Sequence, residues 1–142
     1  MKTLIASIAL LIAFTLASLS AQAQTYKLTI NIKNLLQRTG TLRVGLVTKA
    51  ENFMGKSEID TAVTVPAEGP LTIVFPNLAP GTYAVRLYQD LNGNKTLDRQ
   101  NGMPTEPFGF SNLPMLMGPP SFEAAAFALN EDTEIRVNLI AL

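Results

Sequence analysis

Apolar side chains recur at every second position through much of this chain, and that period limits what it can fold into. Leu28, Ile30 and Ile32 alternate with Lys27, Thr29, Asn31 and Lys33, and Leu42, Val44 and Leu46 alternate with Thr41, Arg43 and Gly45. The period returns at Leu71, Ile73 and Phe75, at Tyr83, Val85 and Leu87, and at Ile135, Val137 and Leu139. Successive side chains of a strand point to opposite faces, so these runs are half-buried strands. Turn clusters divide them: Gln37 to Gly40, then Pro66-Ala67-Glu68-Gly69-Pro70 after Val63 and Val65, and later Asn130-Glu131-Asp132. Residues 50–58 are polar and irregular around Phe53-Met54 and fit a short helical turn. In Phe122 to Leu129 the alanines favour helix, but Phe122, Ala124, Ala126 and Ala128 share one face of an extended chain, and the stretch is read as a strand. About seven short strands with no long helical period predict an all-β fold, a single antiparallel β-sandwich. Within Leu78-Ala79-Pro80-Gly81-Thr82-Tyr83 a Tyr opens a strand two residues after a Pro-Gly turn. That is the pattern of a tyrosine corner, whose hydroxyl bonds back to nearby backbone and pins a crossover.

The N-terminus breaks the period. Met1-Lys2 is a minimal basic start, Leu4 to Leu19 is apolar apart from Ser and Thr, and Ala21-Gln22-Ala23 is a small-x-small cleavage signal. This is the pattern of a secretory signal peptide over residues 1–23, cleaved before Gln24, leaving one domain over 24–142. The apolar run is shorter than the roughly 20 residues that cross a bilayer. No other apolar run reaches that length, so the mature protein is expected to be periplasmic or extracellular, with no membrane span.

Composition removes whole classes of chemistry. The chain has no Cys and no His. Disulfides, thiolate metal sites and cysteine nucleophiles are therefore excluded, as are a Ser-His-Asp triad and a lipid-modified Cys anchor. The 11 basic and 11 acidic residues balance, and removal of Lys2 leaves a net charge of −1. Nucleic-acid binding, which needs a basic stripe, is not expected.

Between Gln89 and Ser121 the strand pattern lapses. Connections longer than about 12–15 residues are uncommon in compact domains and tend to be functional or disordered. Met103, Phe108, Phe110, Leu113, Met115, Leu116 and Met117 give this one enough apolar surface to pack as an ordered loop over residues 89–121. It opens with Asp90, Asn92, Asn94, Thr96 and Asp98, oxygen-bearing residues spaced as a hard cation such as Ca²⁺ requires, with Thr96 offering a backbone carbonyl. Lys95 stands where such a turn calls for Gly and Asn101 where a bidentate Glu belongs, so Glu106 or Glu123 would have to close the site. The same string also suits a metal-free turn in which Asp and Asn cap local backbone groups. If calcium binds, the low charge count places its affinity at roughly 10⁻⁴ to 10⁻³ M. Phe108, Phe110 and Phe122 are read as core plugs beneath the loop, or as an aromatic groove for a glycan, peptide or lipid. Pro114-Met115-Leu116-Met117 is the expected exposed apolar patch.

Ordered motifs then point to a family. Phe75-x-Asn77-Leu78-x-Pro80-Gly81-x-Tyr83-Ala84-Val85 precedes Asp90-x-Asn92-Gly93-Asn94-x-x-Leu97-Asp98. Gly102-x-Pro104, Phe108-Gly109-Phe110-Ser111-Asn112 and Gly118-Pro119-Pro120-Ser121-Phe122-Glu123-x-Ala125-x-Phe127 follow. In these strings the chain resembles the secreted bacterial family called domain of unknown function 2141. The resemblance implies an exported sandwich of immunoglobulin-like or transthyretin-like character and brings no activity, substrate or catalytic residue. Members commonly carry His at the position of Gln89 and Gly at that of Lys95. The expected role is a non-enzymatic module that binds a protein, glycan or envelope component through the 89–121 loop. The alternatives are a purely structural accessory domain, or a hydrolase using Asp90, Asp98, Glu106 and Glu123.

Overall fold

A computed structural model describes residues 23–141 of the chain. The expected leader, up to Gln22, lies outside the described residues. Strand β1 (Tyr26–Lys33) runs into β2 (Thr41–Val47), and a 3-10 turn at Ala50–Asn52 leads to β3 (Ile59–Thr64). Next come β4 (Thr72–Leu78) and the long β5 (Gly81–Asp90). The connection after β5 holds a small hairpin, β6 (Arg99–Gln100) and β7 (Met103–Pro104), then β8 (Phe108–Phe110) and helical turn α1 (Phe122–Ala125). The chain ends with β9 (Phe127–Leu129) and β10 (Thr133–Asn138).

These strands form two packed sheets, as the alternation predicts. One has the order β10-β1-β4; the other runs β3-β2-β5-β8, with β9 paired to the start of β5. Leu28, Ile30, Leu42, Val44, Leu46, Val85, Leu129 and Val137 fill the space between them. A buried aliphatic side chain of this kind contributes about 1.5–3 kcal/mol, and the alternating face of each strand supplies several. Tyr83 forms the expected corner, its hydroxyl donating to Ala79 O at 2.8 Å.

Three features depart from the sequence reading. First, β1 and β10 pair in parallel, Leu28 opposite Thr133 through Lys33 opposite Asn138, so the sandwich is not wholly antiparallel. A parallel partner cannot arrive by a hairpin, and here it is the last strand of the chain. Second, Phe122 to Leu129 is not one strand. Ser121 caps a single helical turn, its Oγ accepting from the Ala124 N–H at 3.3 Å, and the backbone becomes extended at Ala126. A polar cap and the alanines outweigh the alternation for that one turn. Third, the long connection contains its own strands. It folds back over the outer face of the second sheet, where Val47, Phe53, Ala84, Phe108, Phe110 and Ala125 make a second small core.

That cover explains why β5 is buried along both faces. Ser111 Oγ accepts from the Val85 N–H at 2.8 Å and donates to Ala125 O at 2.6 Å, fastening the far end of the connection to β5. After β10 the chain crosses to the second sheet. Phe108 N–H donates to Ile140 O at 3.0 Å and Ile140 N–H to Phe108 O at 2.7 Å, which covers the edge of β8.

Candidate functional site

Asp90 ends β5 on the covered face, and the turn that follows is organised around it. Its carboxylate has no exposed surface and accepts from Arg43 Nε at 2.9 Å. The Gly93 N–H donates to Oδ1 at 2.7 Å and the Lys95 N–H to Oδ2 at 2.9 Å. Burial alone would raise the Asp90 pKa, but the Arg43 guanidinium and the two amides overcome it and hold the pKa below the usual carboxylate value. Lys95 has φ +68°, the left-handed conformation that favours glycine, and Tyr88 Oη donates to its carbonyl at 2.7 Å.

All five residues of the Asp90–Asp98 string come together in this turn, and their polar atoms satisfy one another. Asn92 Oδ1 accepts from the Asn94 N–H at 3.1 Å, and Asn94 Oδ1 accepts from the Thr96 N–H at 2.9 Å. The side-chain amides of Asn92 and Asn94 then donate to Asp98 at 2.6 and 2.7 Å. As arranged, the turn offers N–H groups to Asp98, and a cation there would have to displace them. Glu106, one of the two acids that would have to complete a calcium site, instead ties the ends of the turn together through their backbone. Its Oε1 accepts from the Leu91 N–H at 2.8 Å and its Oε2 from the Asp98 N–H at 3.1 Å. Among the described residues no group of three or more His, Cys, Asp or Glu side chains is placed to hold a metal ion.

Beside this turn, on the outer face of the second sheet, lies a cleft of about 630 Å³. Strand register builds its floor: Ala62, Arg43, Tyr88 and Phe108 form one row, and Asp60, Gly45, Arg86 and Phe110 the next. Met54 to Ser57 wall one side; Lys95, Leu97 and Arg99 from the long connection wall another. Arg86 holds the first wall in place. Its Nε and Nη2 donate to Ser57 Oγ at 3.1 and 2.9 Å, its Nη1 donates to Phe53 O at 3.0 Å, and Nη2 also reaches Gly55 O. Gly45 makes room, since a Cβ there would collide with Ser57 Oγ. Burial pushes the Arg86 pKa down, opposed by the fields of Asp60 and Glu58. At Tyr88 burial pushes the phenol pKa up, with Arg43 pulling the other way.

Sequence reading missed this cleft, although it marked one of its walls. Arg43 and Arg86 each stand at an outward position of an alternating strand, a visible signal, but only the register puts them on neighbouring strands facing one space. The apolar residues of the long connection divide. Phe108 and Phe110 are buried as core plugs, whereas Met115 and Met117 are exposed at 63% and 92%. Asp90 and Glu106 are buried and engaged, and Glu123 is exposed.

No helix among the described residues is long and apolar enough to cross a membrane. No curated protein and no solved structure matches the chain. The family described as "Uncharacterized protein conserved in bacteria (DUF2141)" matches residues 30–137. That span takes in both sheets, the Asp90–Asp98 turn and the whole of the long connection, and the chain belongs to the domain of unknown function 2141 family.

Proposed function

We propose that this protein is an exported, non-enzymatic binding module whose ligand seat is the cleft on the outer face of the β3-β2-β5-β8 sheet. The observation that carries the reading is the cover itself. An ordinary sandwich leaves such a face to solvent. Here two separate segments fold onto it, and they leave a rimmed space of about 630 Å³ between them. That volume lies inside the roughly 300–1,000 Å³ range of small-molecule sites. A reaction is a poorer fit. Among the described residues Asp60 is the one carboxylate lining the cleft, whereas glycoside hydrolysis needs a pair about 5–10 Å apart. Ser57 Oγ accepts two hydrogen bonds from the Arg86 guanidinium, an arrangement that fastens a wall and does not activate a nucleophile.

The test is a small-molecule fragment screen read by amide chemical shifts. Responses are expected at Gly45, Gly55, Ser57, Tyr88 and Leu97, and Ala62→Trp, which fills the floor from the exposed edge strand, should abolish them. Responses centred on Met115 to Met117, or untouched by Ala62→Trp, would overturn the reading. Export is checked separately: the mass of the protein recovered outside the cytoplasm should correspond to a chain beginning at Gln24.

A further inference from the structure

Charge in this chain is balanced overall but concentrated locally. Arg43, Lys56, Arg86, Lys95 and Arg99 line the cleft, five of the chain's 11 basic side chains, against Asp60 alone of its 11 acidic ones. The ion pairs among the described residues are Lys27–Asp132 and Arg43–Asp90. Arg43 is therefore neutralised, while Lys56, Arg86, Lys95 and Arg99 have no carboxylate of the described residues within 4 Å. Arg86 is the most telling of them. Its guanidinium is half-buried and hydrogen-bonded to neutral carbonyl and hydroxyl oxygens, with Asp60 and Glu58 acting on it only from beyond ion-pair distance. Focused between low-dielectric walls, such a field raises the local concentration of anions.

The same walls are not uniformly polar. Met54 is 59% exposed, Leu97 and Tyr88 are half-buried, and Ala62 is open at the edge. Sites for small molecules combine apolar surface with a few converging polar groups, and this cleft has both. Lys95 contributes through its backbone geometry. A left-handed residue pinned by Tyr88 Oη holds the end of the Asp90–Asp98 turn against the cleft.

Resting on the binding reading above, we infer that the cleft takes a small organic anion, a carboxylate or phosphate ester carrying an apolar body. The anionic group sits among Lys56, Lys95, Arg99 and the field of Arg86, and the apolar body lies on Met54, Leu97 and Tyr88. Lysine and arginine at the rim attract the ligand and tune its rate of arrival.

Calorimetric titration with phenyl phosphate at low ionic strength tests this, with benzyl alcohol as the neutral counterpart and inorganic phosphate as the bare anion. Phenyl phosphate should shift the cleft amides and bind about tenfold or more tighter than either control, and its affinity should fall as salt is raised. The combined variant Lys56→Gln, Lys95→Gln, Arg99→Gln changes only exposed side chains, so its Tm should be preserved while affinity falls about tenfold or more. Lys27→Gln, on the other sheet, should bind as the wild type does. Equal cleft binding by benzyl alcohol and phenyl phosphate would overturn the anion requirement and leave the cleft reading standing. Equal binding by inorganic phosphate would overturn the apolar subsite, and undiminished affinity in the triple variant would overturn the role of the rim cations. Cleft amides silent to every probe would overturn both proposals. Binding to phosphatidylglycerol vesicles without a response to phenyl phosphate would overturn the small-ligand class in favour of a membrane surface.

Discussion

Lys95 is the residue at which local preference and the fold disagree most. A non-glycine side chain in the left-handed region costs about 1–2 kcal/mol, and glycine would give back about 0.5–1 kcal/mol through its freer unfolded chain. Lys95→Gly should therefore stabilise the protein by about 0.5–1 kcal/mol, a rise of a few degrees in Tm on thermal denaturation. It should also weaken phenyl phosphate binding, since one rim cation is gone. The mismatch is visible in the sequence, because a turn of the calcium-loop type calls for Gly there; the conformation that makes it matter is φ +68°. Asp90 gives a second test at this scale. Its folded-state pKa lies below the ordinary value of 3.8, so its contribution to stability is present above that value and is lost as pH falls through the folded-state value. In Asp90→Asn the acid limb of a Tm-against-pH curve should be shallower, and Tm near neutral pH lower, because Arg43 loses its counter-charge.

At the scale of elements, the cleft depends on two fastenings that sequence patterns do not reveal. One is the seat of the 53–57 segment on Gly45. Gly45→Ala would drive a methyl group into Ser57 and Asp60 and should cost about 1–3 kcal/mol in chemical denaturation. The other is Ser111, buried between Val85 and Ala125. Ser111→Ala strands the buried Val85 N–H and leaves the Ala125 carbonyl with only the long contact from Asn112 Nδ2, at about 1–3 kcal/mol, and should loosen the long connection in hydrogen exchange before the sandwich unfolds. The Asp90–Asp98 turn is an element in the same sense, closed by its own hydrogen bonds and by Glu106. Calcium bound with an affinity of 10⁻⁴ to 10⁻³ M would stabilise the fold by about 1.4–2.7 kcal/mol at about 10 mM. The hydrogen-bonded closure instead predicts the same Tm in about 10 mM CaCl₂ as in chelator. A shift that disappears in Asp98→Asn would show that a cation takes the place of the two asparagine amides.

Across the whole molecule, the order of events is set by the chain's ends. β1 acquires its parallel neighbour only when β10 arrives, and Ile140 then joins the second sheet at β8. Pairings this distant in sequence cost loop-closure entropy before they return stability, so folding should be slow for a domain of this size, in milliseconds to seconds. Truncation after Glu131 removes β10 along with the buried Val137 and Leu139. The truncated chain should show no cooperative thermal transition by circular dichroism.

The alternation of Leu28, Ile30 and Ile32, and its echoes down the chain, determined the β class and nearly all of the inter-sheet core. Period two assigns each side chain to a face wherever the strand is placed. Pro80-Gly81 and Tyr83 likewise determined a corner, because the hydroxyl's partner is only four residues away. Sequence also marked the Asp90–Asp98 string as a single turn, since its contacts are local. Tertiary structure alone decided the rest. Which strands are neighbours is a property of the register, and it is register that sets Arg43 beside Tyr88 and Arg86 beside Gly45. Whether an outward face meets water or protein depends on where a thirty-odd-residue connection comes to lie, and alternation carries no record of that. The cleft exists because the connection and the 53–57 segment both settle on one face, touching where Phe53 meets Phe110 and Phe122 and leaving a space beside that contact.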